Sequence, residues 1–511
     1  MSQGPAGFIA LHNGGTVSFT ALPVLAPDAL CAGISDALEQ GMRIASYFAM
    51  VPGPHGTELI AVLAHDRQAT LHAGRALVKG KEFPSLTPRH PQAHLFEREI
   101  AEQSGLHPNG HPWLKPVRFA PSLNPKGGPT PPGIGDVQFF AVTGDAIHEV
   151  AVGPVHAGVI EPGHFRFQCY GERVLHLEIS LGYQHRGVEA ALLGGPHKIT
   201  ARQMETVAGD TSIGHGWAYT QNMESLSKVH ANARSQVVRA IALELERLAN
   251  HTGDLGAIAG DVAYLPTQSY CGRIRGDFLN MTALLCGNRF GRNLLAAGRN
   301  RFDIDSAMAE ELLKRLETAE RDVTEAVDLM WNAPSVLGRF ENVGKVTLEQ
   351  CLEIGMVGPA ARACGLERDV RSDHPLGVYQ FTNIPTVTAH HGDVNSRVFV
   401  RWLEMQRSLA FLKERITALE AASELEPPHR RRAPAATLAP DRLACALIEG
   451  WRGEICHVAV TDASGGLARY KITDPSFHNW MGLALALRDQ EISDFPLCNK
   501  SFNLSYCGFD L

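Results

Sequence analysis

Residues 223–248, MESLSKVHANARSQVVRAIALELERL, place Met223, Leu226, Val229, Ala233, Val237, Ile241, Leu245 and Leu248 three or four positions apart. That spacing lines one face of an α-helix, and it predicts a single helix of about thirty residues from near residue 216 onward. The same period returns further along the chain. Met308, Leu312, Leu316, Ala319, Val323, Val327 and Met330 mark a helix over 306–331, and Met405, Leu409, Leu412, Ile416 and Leu419 another over 395–420. A long helix with one apolar stripe cannot bury that stripe alone, so the three are expected to pack as a bundle.

On the N-terminal side the period shortens. HFRFQCY and RVLHLEIS, either side of a turn at Gly171, predict a small antiparallel sheet within 145–185. PSLNPKGGPTPPGIGD at 121–136 is too rich in proline and glycine to pack and reads as a linker. Before it, SYFAMV and TELIAVLA around PGPHG predict a hairpin over 43–66, and HLFEREIAEQSG predicts a short helix ending at Gly105. Beyond the bundle, EPPHRRRAPAATLAPD at 426–441 reads as a surface loop with a solvated arginine run at 430–432. An αβ piece is expected from there to the end. The expected class is α+β, with an α/β domain over 1–120, the linker over 121–136, and a helical bundle with small flanking sheets over 137–511.

A chain of 511 residues is long enough for more than one core. Its 44% hydrophobic and 20% charged residues are ordinary for a globular protein. A formal net charge of −7 argues against nucleic-acid binding through a broad basic surface. No run of apolar residues is long enough to cross a bilayer, and the start, MSQGPAGFIALHNGG, lacks the charged and apolar parts of a secretory signal, so a cytoplasmic location is expected. Ten cysteines include no CxxC, which excludes zinc ribbons, ferredoxin-type clusters and thioredoxin-like pairs. Most are expected to be buried thiols. No P-loop, GxGxxG after a strand, GxSxG or HExxH occurs. The tail KSFNLSYCGFDL, residues 500–511, raises a separate question: whether Cys507 belongs to a metal site.

Several local strings stand in a fixed order: EPGHFRF (161–167), GYQHRGVEA (182–190), ELERLANH (244–251), RACGLERDVRSDHP (362–375), GDVNSRVFVRWLEM (392–405) and DPSFHNW (474–480). FPSLTPRHPQAHLFEREIAEQSGLHPNGHP precedes them. Over roughly residues 40–511 this order resembles the 49 kDa subunit of respiratory complex I and the large subunit of membrane-bound nickel-iron hydrogenases. The part before the linker resembles the complex I 30 kDa subunit, and the fusion resembles the formate-hydrogenlyase and hydrogenase-4 type large subunits.

The resemblance implies where a metal would sit. In the hydrogenases an early CxxC after HRGxE and a closing DPCxxC supply four thiolates, the soft ligands that nickel and iron require. Here the early pair falls on Ala208 and Thr211 and the late pair on Ser505 and Gly508, with Cys507 one position out of place. No metal is expected on this chain, and an active nickel-iron hydrogenase is excluded. Complex I also lacks those cysteines and receives a quinone headgroup instead. The family's headgroup histidine matches His164, whereas its tyrosine falls on Gly209.

Site residues follow by the same comparison. His164, Asp210, His215 and Glu189 are the candidates for catalytic proton handling; His164, His185 and Arg186 are those for holding an acceptor. The bland reading of His164 is a ring hydrogen-bonded within a hairpin. His185, Arg186 and Glu189 are expected to form a buried charge relay, with a structural Arg–carboxylate pair as the alternative. Arg362, Asp369, Arg371 and Asp373 match a segment that contacts a neighbouring iron–sulfur subunit, so an interface network is expected there. Asp393, Arg397 and Arg401, four apart, are expected to pair along a helix. Adjacent His390 and His391 diverge and are not expected to bind a metal.

The implied function is the large subunit of a complex I-like or energy-converting hydrogenase-related membrane oxidoreductase, of NADH:quinone or hydrogenase-like type. Its cavity would pass electrons from a partner's iron–sulfur cluster to a quinone-type acceptor, coupled to ion translocation. The implied partners are a small iron–sulfur subunit of the complex I 20 kDa or hydrogenase small-subunit kind, a ferredoxin-like subunit and membrane-arm subunits, with the chain peripheral on the inner face of the cell membrane. The chain alone is expected to hold no cofactor. The rival reading is a redox-inactive scaffold that bridges the peripheral and membrane arms.

Overall fold

The structure, a computed structural model, describes residues 4–53, 56–124, 130–133, 136–156, 160–422 and 437–511. The arginine run at 430–432, most of the 426–441 segment and parts of the linker lie outside the described residues.

The N-terminal part is built on strands Ile9–Leu11, Thr70–Val78, Gly56–His65 and Arg43–Gly53, antiparallel in that order, with Val24–Leu25 added parallel to Thr70–Val78. The expected hairpin is present, pairing Arg43 with Ala64. Its side chains alternate between two cores, as strand geometry requires. Leu59, Ala61 and Leu63 join Leu30 and Ile34 of helix Pro27–Glu39 and Phe96 of helix His94–Ser104. Ile60, Val62 and Ala64 face a second sheet near the C-terminus. With both faces buried, the strand reads as the unbroken apolar run LIAVLA.

That second sheet has the order Leu467–Thr473, Gly453–Thr461, Arg442–Gly450 and Gly15–Ser18. Its last strand comes from the N-terminal segment, antiparallel to Arg442–Gly450 with Arg442 opposite Ser18. A third sheet, Arg173–Ser180, His164–Tyr170 and Ile147–Val152, is the expected antiparallel one, turning at Gly171 with φ +56°.

The bundle consists of helices Ser212–Ser227, Ala233–Asp261, Leu265–Cys286, Ser306–Trp331 and Val394–Ala422. The single helix expected across 223–248 is two. Lys228 adopts the left-handed conformation, φ +54°, and the Asn232 side chain caps the next helix by accepting from Ser235 N at 2.9 Å. Helix Leu265–Cys286 has no counterpart in the expectations above. Its buried positions Cys271, Ile274, Phe278, Met281 and Leu285 keep the helical spacing, but Gly272, Gly276 and two arginines dilute the signal.

Two charged strings are used differently from expectation. Arg362, Asp369 and Arg371 are buried in the chain's own core, where Arg362 meets Glu404 and Glu449 at 2.8 Å each and Arg371 meets Asp369 at 2.6 Å. They are therefore not offered to a neighbouring subunit. Asp393 does not pair along its helix, because its carboxylate accepts the amides of Ser396 and Asn342 at the helix start. Arg397 bonds Ser501 and the carbonyls of Gly344 and Gly392, and Arg401 pairs with Asp254 at 2.8 Å. Gly358, at φ +70°, lets two backbones cross where a Cβ would lie 2.1 Å from the Arg452 carbonyl. That crossing fixes the turn that carries Trp451 and Arg452.

Candidate active site

Three segments converge: the loop 182–189, the turn 205–211 entering helix Ser212–Ser227, and the tail 505–511. Arg186 ties them, donating to the carbonyls of Thr206 (2.7 Å), Val207 (2.9 Å) and Cys507 (3.0 Å). His185 Nδ1 donates to the Asp510 carbonyl at 2.7 Å. The Asp510 carboxylate accepts the amides of Gly182 and Gln184 at 2.7 and 2.8 Å, and burial pushes its pKa up to about 6.

The expected relay of His185, Arg186 and Glu189 does not form. His185 and Arg186 bond backbone carbonyls, whereas Glu189, beyond the left-handed Gly187, points into the core. There it meets Arg469 at 2.8 Å and Lys471 at 3.0 Å, and Lys471 also meets Glu99 at 2.7 Å. Burial alone would raise the Glu189 carboxyl; the two cations outweigh it and hold the pKa well below the ordinary range. The pair is thus part of the seam between the N-terminal and C-terminal parts.

The four positions where thiolates would stand are close together but offer no soft ligand. Thr211 Oγ1 accepts from Trp451 Nε1 at 3.1 Å, and Ser505 Oγ accepts the Gly508 amide at 2.9 Å. A Cβ on Gly508 would lie 2.7 Å from Asp474 Oδ2, so the carboxylate stands where a ligand side chain would have to start. Cys507 Sγ takes the Gly209 amide and lies 3.5 Å from Ser505 Oγ. Burial, and Glu161 beside it, push this thiol up to about 11, so it is neutral. Glu161 also accepts the amides of Tyr506 and Cys507 at 3.4 and 3.3 Å. Among the described residues, no three histidine, cysteine or acidic side chains are grouped to hold a metal. The donor set does not fit nickel. In contrast, a Cβ on Gly209 would meet nothing within 4 Å.

Around this frame lie the groups that can hold protons. Asp210 pairs with Arg452 at 2.6 and 2.8 Å, and the Arg452 guanidinium stacks 3.9 Å from the Trp451 ring. Asp474 Oδ1 accepts the Ser476 amide at 2.8 Å, and Oδ2 lies 3.0 Å from His215 Nε2. Burial raises the Asp474 carboxyl, but the His215 bond and Arg452 overcome this and leave it below its usual value. Behind His215, Nδ1 is 3.0 Å from His457 Nε2, and His457 Nδ1 is 2.9 Å from the Tyr470 hydroxyl. Glu246 accepts the amides of Ile213 and Gly214 at 2.7 and 3.2 Å, at the start of the His215 helix. Burial pushes it up to about 8 against those bonds.

His164 begins the strand His164–Tyr170, with Nδ1 donating to the Gly153 carbonyl at 3.1 Å and the ring 5.1 Å from Phe139. Its Nε2 is buried and unpartnered within the chain. Its neighbour Gly163 abuts Tyr506, which a Cβ there would approach to 2.6 Å. The fold therefore gathers Asp210, His215, His185 and Arg186 at the converging loops, sets His164 on the adjoining hairpin, and sends Glu189 elsewhere. Sequence reasoning missed Glu161, Glu246, Arg452, His457, Tyr470 and Asp474. Glu161, Glu246 and Asp474 lay within the strings EPGHFRF, ELERLANH and DPSFHNW, whereas Arg452, His457 and Tyr470 carried no signal.

Comparison with known proteins agrees with this architecture. Residues 261–510 match the family described as respiratory-chain NADH dehydrogenase, 49 Kd subunit, and residues 41–129 match the 30 Kd subunit. Formate hydrogenlyase subunit 5 of Escherichia coli is 30% identical over 84% of the chain and 77% of its own length. Hydrogenase-4 component G of the same organism is 30% identical over 84% and 76%. NADH-quinone oxidoreductase subunit 4 of Thermus thermophilus is 26% identical over 67% and 89%. The chain belongs to the family of complex I 49 kDa and membrane-bound hydrogenase large subunits, a complex I-like oxidoreductase subunit with a 30 kDa-like domain in the same chain.

Proposed function

We propose that this chain is the large subunit of a membrane oxidoreductase in which electrons from a partner's iron–sulfur cluster reach a quinone-type acceptor, with the reaction coupled to ion translocation. The observation that carries the reading is the frame itself. The converging loops are held in register by Arg186 and Asp510, yet their ligand positions are Ala208, Thr211, Ser505 and Gly508. Metal chemistry has no donor set there, whereas proton-coupled reduction of an organic acceptor needs acid–base groups, which are present. His164, whose Nδ1–H is held by the Gly153 carbonyl, would accept from the hydroxyl of a reduced headgroup through the Nε2 left without a partner. Asp210, clamped by Arg452, and the Asp474–His215 pair would keep charge and a proton close by. A quinone is reduced by two electrons and two protons, and the electrons come from the partner's cluster.

The partners proposed are a small iron–sulfur subunit, a ferredoxin-like subunit and membrane-arm subunits, with this chain peripheral on the inner face of the cell membrane. Among the described residues no helix is long and apolar enough to cross a membrane. A second reading, a redox-inactive scaffold, is favoured by Gly209 where the family's headgroup tyrosine would stand and by the Cys507 thiol lying against the Gly209 amide.

The test uses the assembly purified with its partners. The clusters are reduced chemically, a short-chain quinone is added, and reoxidation is followed by EPR in wild type and His164→Ala. Fast reoxidation that the substitution abolishes is the expected result. Reoxidation that is absent, or indifferent to His164, would leave the scaffold.

A further inference from the structure

We infer that a cleft between the N-terminal and C-terminal parts of the chain is a binding site for a planar aromatic carboxylate, with Arg98 taking the carboxylate. The cleft lies between helix His94–Ser104, the loop 113–119, strand Arg173–Ser180 and helix Pro475–Ala486. It holds about 720 Å³ up to its open mouth, a size ordinary for a small-molecule site. It adjoins the converging loops through Phe139, whose ring is 5.1 Å from that of His164, and through Phe509 of the tail.

The walls suit a ring. Trp113, Phe119, Phe139, Trp480 and Phe509 line the cleft, together with aliphatic side chains such as Leu95. Aromatic side chains take up a flat ring edge-on or offset, which adds to the gain from burial alone.

The polar groups suit an oxygen anion. Arg98 is 9% exposed, yet among the described residues it has no ion-pair partner. Its Nε and Nη2 donate to the carbonyls of Lys115 and Pro116 at 2.8 Å each, and the guanidinium carbon lies 5.1 Å from the centre of the Trp113 ring. Nη1 makes no hydrogen bond among the described residues. Burial outweighs the nearby Glu102 and Glu178 and pushes Arg98 down to about 10, so it is still a cation at neutral pH. A buried cation held only by carbonyls keeps a charge that an incoming carboxylate can offset.

Two further groups in the walls lack partners. Trp480 is 3% exposed and its Nε1–H has no acceptor; an indole nitrogen can only donate. His94 Nδ1 is also buried without a partner. Burial, helped by Arg98, pushes that ring down to about 3, so it is neutral and adds no charge. The acids beside Arg98 are already engaged. Glu178 pairs with Lys115 at 2.5 Å and accepts the Phe140 amide at 2.7 Å, and Glu102 accepts the amides of Arg118 and Ala120 at 3.1 Å. A carboxylate accepts through both oxygens, which matches a guanidinium and an indole donor that lack acceptors.

The test uses the purified assembly and is independent of turnover. A benzophenone carboxylate is photoactivated in its presence, and the labelled peptides are mapped by mass spectrometry. Labels are expected on helices His94–Ser104 and Pro475–Ala486. Excess naphthoate should remove them, and excess naphthamide, which keeps the rings without the charge, should not. Arg98→Gln is expected to raise the probe concentration for half-maximal labelling about tenfold. Ala484→Phe places a ring in the cleft, leaves every charge in position, and should abolish the labels. Labels absent from both helices, or equal protection by naphthamide, would overturn the proposal. So would undiminished labelling in Arg98→Gln or in Ala484→Phe. If Arg98→Gln fails to assemble, the naphthoate and naphthamide pair on wild type decides. Cluster reoxidation is measured without the probe, so a negative result here leaves the quinone reading where it stands.

Discussion

Two polar regions are buried side by side in this molecule, and they differ in how they are filled. Around Glu244, Glu404 and Glu449, every carboxylate faces a guanidinium. Glu244 meets Arg247 and Arg371, and Glu404 and Glu449 share Arg362. Tyr379 and Ser408 complete Glu244 at 2.7 and 2.6 Å. At the converging loops the residues are small or neutral instead: Ala208, Gly209, Ser505 and Gly508, with a neutral thiol beside them. A saturated network has no capacity for a ligand and acts as a brace, because removing any one charge strands another in low dielectric. The frame is instead held by backbone bonds, and it has free space beside Gly209, where a Cβ would meet nothing within 4 Å.

The comparison can be broken experimentally. Arg362→Ala takes the ion-pair partner from buried Glu449 and leaves Glu404 with His251 and Arg247, and should cost about 3–5 kcal/mol of stability in denaturant unfolding of the assembly. A loss no larger than that of a surface arginine would show that the network is not a brace.

Glu246 stands between the two regions, and its expected effect is a slope with pH. Its native pKa of about 8 is raised from an ordinary 4.5, so the folded state holds the extra proton in that window and stability falls as pH rises through it. Relative to Glu246→Gln, which does not titrate, wild type should lose up to about 1.4 kcal/mol per pH unit across the window. Thermal unfolding at several pH values measures this, and a flat difference would place the native pKa near its ordinary value.

The smallest effects distinguish the two glycines of the frame. Gly508→Ala drives a Cβ against the locked Asp474 carboxylate and should cost about 1–3 kcal/mol. Gly209→Ala enters open space at a backbone conformation without positive φ, and should be neutral or stabilising by about 0.4–1 kcal/mol. Equal penalties at both positions would mean that the frame is packed throughout.

The sequence made the braces harder to read than the frame. Stripes such as Leu312, Leu316 and Val323 gave their helix directly, since burial of one face leaves its period in the residues. The break at Lys228 left no such mark, because a left-handed lysine is chosen by packing and the apolar spacing continues across it. Arg362, Asp369 and Arg371 look like a charged surface until Glu404 and Glu449 are brought in from remote positions. At the site, Asp210 and His215 were legible because they lie beside the missing ligand positions. Their partners Arg452, His457 and Asp474 come from over two hundred residues away, a distance that no local pattern spans.

The strand Gly15–Ser18 has a consequence for how the chain reaches its native state. Thr16 and Arg442, bonded across the last sheet at 2.7 Å, are 426 residues apart. At about 5–20 residues per second the ribosome delivers the second partner roughly twenty seconds or more after the first. Throughout that interval the early strand has an open edge, which is the feature that invites wrong pairing with other chains. Completion of the sheet is thus a late event in synthesis, and a nascent chain is most in need of protection by chaperones before its final sheet has emerged.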